Sequence, residues 1–558
     1  MLRSTILQRN SGAAADWKNI FFRFLPVIIL LFGAIMRLIY LGSVPGGLHQ
    51  DEAFVALNSY DLYHEGKDSA GLRMPIYMSS WGDGQSAMYS WLLTVLMFFT
   101  GGESSTYLYR LPQALISVFT LWAVYCLMRH MFNRTAGLWA IFLLAVCPWH
   151  VMMSRWALDA NLAPGFLIFG LLFFVKGLEN QRYFLLSALF YGMSLYCYAV
   201  IWIIVPILLF IQILYGICSK KIRLSRWTLL STVILFVLAF PLLLFVLINI
   251  NVLPELSLPF ITIPKTVGFR GREVSFKLQN IVDNLKTAAR LLIRQNTGNV
   301  YDILLPWGLF YDIGRVMILL GAVLLFFNVI VHIVRRKFCY EFFIAANVLC
   351  GIINCLYLSA RMHQVNSLFI PLVLLESYGI WKITAWFTHK KKLIGLLSTI
   401  AAIGCYCVCF VLFQKDYYTK YKTLTEAYFA AGVQESVEYA LEVCREQGYS
   451  TICAEKATQW PRLLLFTNTL PTEYLAHVKY DQFPAPASFE KDGLLIKTRV
   501  DYENIEPESI YIIYFADIEP FLNDFDITEF YDWRVAVPAK NGGNDTGAQV
   551  DTTSYVHQ

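Results

Sequence analysis

Two adjacent carboxylates, Asp51 and Glu52, follow Pro45-Gly-Gly-Leu-His49-Gln50, a few residues beyond an apolar run from about Phe24 to Leu41. Such a run can cross a bilayer, which takes roughly 20 apolar residues. Pro and Gly then end it and turn the chain. Neighbouring carboxylates at a membrane surface are costly to crowd together unless something uses them. One use is general-base chemistry, in which a carboxylate takes a proton from an attacking hydroxyl. The pair equally suits the first turn of a helix starting near Ala53, where acids offset the helix dipole. The pair alone does not separate these uses.

Further polar groups recur at other turns. Arg155 and Asp159 are four apart and would share a helix face, as a local ion pair or as part of a site with the nearby Trp and His. Ser359-Ala-Arg361-Met-His363-Gln-Val-Asn366 collects polar groups at a helix entrance, which fits a site near the interface or headgroup contact by Arg361. Lys286, Arg290 and Arg294 form a basic stripe at helical spacing. It reads either as a helix on anionic headgroups or as a phosphate-binding surface. Asp51, Glu52 and Asp159 could hold a divalent ion, although carboxylates alone point weakly to metal. No Gly-rich phosphate loop, zinc spacing or Gly-x-Ser-x-Gly elbow is present, and nothing supports nucleic-acid binding.

The elements that must position these groups are membrane helices. The chain has 558 residues, 57% hydrophobic and 15% charged, against nearer 25% charged in soluble domains. Apolar runs near 24–41, 108–128, 136–153, 162–176, 183–199, 200–217, 227–249, 313–334, 340–358, 366–387 and 393–413 predict about eleven transmembrane helices. Met88–Phe99 is apolar but short, as a re-entrant or juxtamembrane piece would be. Cationic clusters fall at alternate connections: Arg3 to Arg23, Arg129 with Arg134, Lys176 with Arg182, Lys220 to Arg226, Arg335 to Lys337, and Lys390 to Lys392. By the positive-inside rule the N-terminus is then cytoplasmic. Asp51, Glu52, Asp159, the loops 42–107 and 250–312, and the chain from Gln414 lie outside. No cleavable signal is expected, because the first apolar run is too long for one.

Residues 1–413 thus read as a membrane domain and 414–558 as a small extracytoplasmic α/β domain. In the latter, Val433–Glu446 is patterned as a helix, and Tyr449–Ala454 and Ser509–Phe515 as strands. Cys444 and Cys453 lie in this region and could pair. The end, Lys540–Gln558, is rich in small polar residues and contains the sequon Asn544-Asp-Thr.

Carboxylates and cations on one side of a helix bundle suit a transferase that uses a lipid-linked phosphosugar. One carboxylate deprotonates the acceptor hydroxyl, and cations steady the leaving phosphate. The chain resembles the GT-C glycosyltransferases of the family 39-like group, which includes protein O-mannosyltransferases and the lipid A aminoarabinose transferase. The matching pieces are Arg37-Leu-Ile-Tyr, Pro45 to Asp51-Glu52, Gly66-Lys-Asp68-Ser-Ala-Gly71 with Pro75, Tyr109-Arg110-Leu-Pro112, Pro148-Trp-His150, and Ser154-Arg155 leading to Asp159. They cover about 20–240. The resemblance implies inverting transfer from a polyprenyl-phosphate sugar, on the outer face, to a lipid, glycan or protein acceptor. It implies Asp51 as base, supported by Glu52 and Asp159. Arg155, Lys286, Arg290, Arg294, Arg361 and His363 are candidate substrate contacts, and a divalent metal is the one candidate cofactor. A transporter or flippase is the alternative outside enzymes, although such proteins tend to show repeated halves and charges near the midplane. A cell-envelope polysaccharide polymerase or ligase is the alternative within enzymes.

Overall fold

A bilayer offers backbone groups no hydrogen-bond partner, so apolar runs that enter it must close their own bonds as helices. The computed structural model describes residues 22–269, 277–358 and 361–539. Arg3 to Lys18, Arg270, Arg272, Ser359-Ala360 and the tail 540–558 with the Asn544 sequon lie outside them. In chain order the helices of the membrane part are α1 (22–38), α2 (Gln50–Glu65), α3 (Met88–Thr100), α4 (Thr106–Met131), α5 (Arg134–Val146), α6 (Pro148–Met153), α7 (Asp159–Gly177) and α8 (Tyr183–Ser194). They continue with α9 (Ile201–Cys218), α10 (Arg226–Asn249), α11 (Leu278–Ala289), α12 (Asp312–Val334), α13 (Glu341–Tyr357), α14 (Phe369–Lys390) and α15 (Lys392–Asp416).

Among the described residues, seven helices are long and apolar enough to cross a membrane: α4, α7, α9, α10, α12 and the segments containing α14 and α15. The protein is therefore a multi-pass membrane protein. Every one of the expected eleven spans meets a helix, but eleven full-length crossings are not reproduced. The expected span 136–153 divides into α5 and α6 at Pro148, where the missing N–H and the ring interrupt a helix. The expected span 183–199 stops at Ser194. Met88–Thr100 is a short helix along α2, with Thr94 bonding the Ser59 carbonyl at 3.2 Å.

The bundle has an inside and an outside. The apolar stretch of α7 is 83% buried, whereas those of α12 and of the α15 segment are 17% buried. So α4, α7 and α14 form the interior that carries the site, and α10, α12 and α15 face lipid. At the crossing of α12 and α14, a Cβ on Gly321 would strike the Leu375 carbonyl, and small residues let the two backbones approach.

After α15 the chain builds a seven-stranded mixed sheet, ordered 525–530, 533–538, 510–514, 451–454, 494–497, 485–491, 479–482. The central strand Thr451–Ala454 is parallel to both neighbours. α16 (Val433–Gln447) packs its Val433, Val437, Ala440 and Cys444 stripe beneath the sheet. The predicted helix and strands of this region are present at Val433–Gln447, Thr451–Ala454 and Ile510–Tyr514. Cys444 and Cys453 are free and buried.

Candidate active site

The acidic pair opens α2, and the cap of that helix separates the two carboxylates. His49 is the N-cap, and its backbone N–H donates to Glu52 Oε2 at 3.0 Å while its Nδ1 accepts from the Asp51 N–H at 3.3 Å. Glu52 points into the bundle and is fully buried. Arg110 of α4 meets it in a two-pronged pair, Nε to Oε1 at 2.9 Å and Nη2 to Oε2 at 3.0 Å. The Ala157 N–H adds a 2.8 Å bond to Oε1. Both Glu52 oxygens are thus committed to the protein, in the bidentate geometry that makes such pairs strong.

Asp51 faces the other way. Its side chain is 29% exposed and 3.7 Å from His49 Nδ1. Beside it lies a cavity of about 430 Å³ between the membrane domain and the sheet domain. His49, Gln50, Tyr301, Tyr428, Gln459, Arg462, Tyr514 and Trp533 line it. Asp51 acts electrostatically on both Arg462 and Tyr301. Burial pushes the Arg462 guanidinium down to about 10, against the pull of Glu52 and Asp51, so it is a cation at neutral pH. Burial also lowers His49, opposed by Asp51, which leaves the imidazole neutral and able to accept.

The sheet domain reaches this site through α17 (Trp460–Phe466). Arg462 Nε donates to the Leu48 carbonyl at 2.9 Å and Gln459 donates to Gln50 at 2.6 Å. Trp460 packs edge-on against Phe54 at 5.3 Å. At the far end of α2, the Thr472 hydroxyl donates to Glu65 at 2.6 Å. Gly47 has φ 78°, and a Cβ there would run into the Phe429 carbonyl, so this turn accepts the close approach only as glycine.

Three arginines gather the carbonyls of the turn between α1 and α2. A helix C-terminus leaves its last carbonyls without partners. Arg155 supplies them: it donates to the carbonyls of Met36, Arg37, Ile39, Tyr40 and Val44, with Tyr417 and Tyr418 against its guanidinium at 5.7 Å. Arg110 takes the carbonyls of Leu41, Pro45 and Gly47, and Arg462 takes that of Leu48. Arg155 is buried and spends its donors on backbone; α6 ends at Met153, so no helix face joins it to Asp159. Arg37 is buried too, bonding Leu144 and Ala145 carbonyls and lying 2.6 Å from His150 Nδ1.

Asp159 opens α7. It is buried and accepts from the Ser86 N–H at 3.1 Å and the Ala160 N–H at 2.7 Å, which ties α7 to the hairpin of Tyr77–Met78 and Gln85–Ser86. Arg361 is exposed and bears electrostatically on Tyr301 and Asp302, so it stands near the cavity's Tyr301 side. His363 is half-buried beside the Tyr198 ring. Asn366 holds this turn to α7 through the Ala160 carbonyl at 2.8 Å. Lys286 lies on α11 and pairs with Asp283 at 3.0 Å; Arg290 and Arg294 follow in a wider turn, 290–294, both exposed. None of the three lines the cavity beside Asp51. Among the described residues no group of three or more His, Cys, Asp or Glu is arranged to hold a metal, and Glu52 has no oxygen to spare for one.

Arg110 stands in the quoted Tyr109-Arg110-Leu-Pro112 motif without an assigned role, because nothing local says which carboxylate it meets. Arg462 is 410 residues from Glu52 in a segment with no motif, and sequence carries no signal for it.

Residues 85–245 match the family model described as dolichyl-phosphate-mannose-protein mannosyltransferase. No curated protein matches the chain. The fold is similar to that of ArnT from Cupriavidus metallidurans bound to undecaprenyl phosphate, at 11% identity and a TM-score of 0.54, covering 91% of this chain and 97% of that one. It is similar also to the Archaeoglobus fulgidus oligosaccharyltransferase tethered with an acceptor peptide, at 13% identity and a TM-score of 0.50, covering 81% and 64%.

Proposed function

We propose that this chain, which has the GT-C glycosyltransferase fold, moves a sugar from a polyprenyl-phosphate donor to an acceptor hydroxyl on the extracytoplasmic face of the membrane. The observation that carries the reading is the division of labour within the acidic pair: Glu52 is locked to Arg110, while Asp51 stays open beside a cavity lined by aromatic rings, amides and one cation. Aromatic faces and amides are what a sugar binds, and the ArnT relative holds a polyprenyl phosphate in the same fold.

The reaction needs a base, a leaving-group stabiliser and a fixed geometry. Asp51 takes the proton of the acceptor hydroxyl as its oxygen attacks the anomeric carbon. The bond from that carbon to the phosphate oxygen breaks on the opposite side, so the configuration inverts and the lipid phosphate departs with the electron pair. Cations near the cavity, Arg462 and Arg361, offset the charge that grows on the phosphate. Glu52, Asp159 and Arg155 are positioning residues: they fix the start of α2, the start of α7 and the turn after α1. Lys286, Arg290 and Arg294 supply positive charge on the same outer side, where a lipid phosphate would approach.

The test is single-turnover transfer from a polyprenyl-phosphate sugar by purified Asp51→Asn, normalised to folded protein. Asn keeps the shape but cannot accept the proton, so turnover should fall by roughly two to four orders of magnitude with donor binding retained. Wild-type turnover would remove Asp51 from the mechanism and make Asp159 the next candidate.

A further inference from the structure

At the other ends of the same helices lies a second cavity, of about 630 Å³. α4 runs from Arg110 at the acidic site to Arg129 near its far end, a climb of roughly 28 Å at 1.5 Å per residue, close to the ~30 Å thickness of the hydrocarbon core. α1 runs the opposite way, with Arg23 at its start and Arg37 at the acidic end. α5 begins at Arg134. Three guanidinium groups, Arg23, Arg129 and Arg134, therefore meet around one hollow at the membrane surface remote from Asp51.

Among the described residues the wall of this hollow contains no carboxylate; it is completed by Pro26, Val27, Trp122 and Tyr125. Among the described residues none of the three arginines has an acidic partner. Glu179, at the same surface, is taken by His130 at 3.4 Å and by the Tyr340 hydroxyl at 2.8 Å. Arg129 rests over the Tyr125 ring at 5.9 Å, and Trp122 is 37% exposed. Like charges around an open hollow repel one another unless an anion joins them.

We propose that this cavity binds the phosphate headgroup of an anionic phospholipid, from the leaflet opposite the acidic site. Guanidinium forks match phosphate oxygens two at a time. The arginines stand at headgroup depth, and Trp122 and Tyr125 lie one to two turns deeper on α4, where such rings border the acyl chains. Basic pockets between transmembrane helices are suited to this chemistry. The headgroup joins α1, α4 and α5, three helices whose other ends carry Arg37, Arg110 and the Leu144 and Ala145 carbonyls. The proposal does not depend on the transferase reading.

Purified full-length protein in a nonionic detergent is titrated with dioleoylphosphatidylglycerol or dioleoylphosphatidylcholine, with retained lipid counted by native mass spectrometry. Wild type should retain phosphatidylglycerol in preference to phosphatidylcholine. The preference should weaken roughly tenfold on losing one charge-assisted contact in Arg134→Gln, and vanish in the combined Arg23→Gln, Arg129→Gln, Arg134→Gln variant. Arg134→Gln is the safeguard against misfolding, because Asn133 still caps α5 through the Ala136 N–H. Equal phosphatidylglycerol retention by wild type and the combined variant would overturn the proposal. So would complete displacement of the lipid by millimolar inorganic phosphate, which would make the hollow a site for free anions.

Discussion

Glu52 and Arg110 are both fully buried, and removing one partner of such a pair strands the other charge. Glu52→Gln should therefore cost roughly 3–5 kcal/mol, seen as a lower midpoint of thermal unfolding in detergent and a smaller folded yield. Asp51→Asn should leave that midpoint close to wild type, since an exposed acid in a first helical turn is worth about 1 kcal/mol. If the two variants lost equal stability, the inward and outward roles of the pair would be wrongly assigned. The two residues differ by one position in a helix, which is about 100° of rotation, and that turn sends Glu52 to Arg110 and leaves Asp51 partly exposed next to His49 and Gln50 of the cavity wall.

Helix α2 carries a second acidic feature. Asp61 and Asp68 are buried near one another beneath the sheet domain, and Asp61 Oδ1 and Asp68 Oδ2 have no partner among the described residues. Burial first, then Asp68 and Glu65, hold Asp61 well above the ordinary carboxylate range; burial raises Asp68 to about 7. The folded state thus keeps protons that the unfolded chain has already released, so stability falls as pH rises between the unfolded and folded values. Asp61→Asn cannot ionise. Its stability relative to wild type should improve on going from about pH 5 to about pH 8, by up to about 1.4 kcal/mol per unit, in thermal melts across that range. A gain that grew towards acid pH would refute the sign. For α11 and the wider turn that follows it, Lys286→Gln with Arg290→Gln and Arg294→Gln should raise the donor KM without altering the melting midpoint. Unchanged donor use with weaker binding to anionic vesicles would give the stripe to headgroups instead.

Transfer at Asp51 requires the acidic pair and the sheet domain to face the same aqueous side. The cavity beside Asp51 is built from both, and α2 is held by the sheet domain at both of its ends. The alternation of cationic connections predicts that this side lies outside the cytoplasm. A reporter that works only outside the cytoplasm should be active when fused after Phe515 and silent when fused after Lys392. The reverse pattern would place the site on the cytoplasmic side, where a lipid-linked donor would no longer be required.

Sequence was enough for the membrane class, the approximate places of the helices but not the number that cross, the α/β character of the region after α15 and the acidic pair at the start of α2. Each of these is a local property: hydropathy over some 20 residues, a helical or alternating period, a Pro-Gly turn, a cationic end. What tertiary structure decided was which partner each charge meets. Arg155 is four residues from Asp159, yet its donors go to the carbonyls at the end of α1, because α6 stops between them and orphaned helix-end carbonyls are a strong demand. Arg110 finds Glu52 across 58 residues and Arg462 reaches Leu48 across 414. Such pairings follow from helix crossings and domain docking, which no local pattern encodes. The same holds for the arginine hollow at the far surface: positive charge at those connections is legible as topology, but only the packing of α1, α4 and α5 brings three of them around one space.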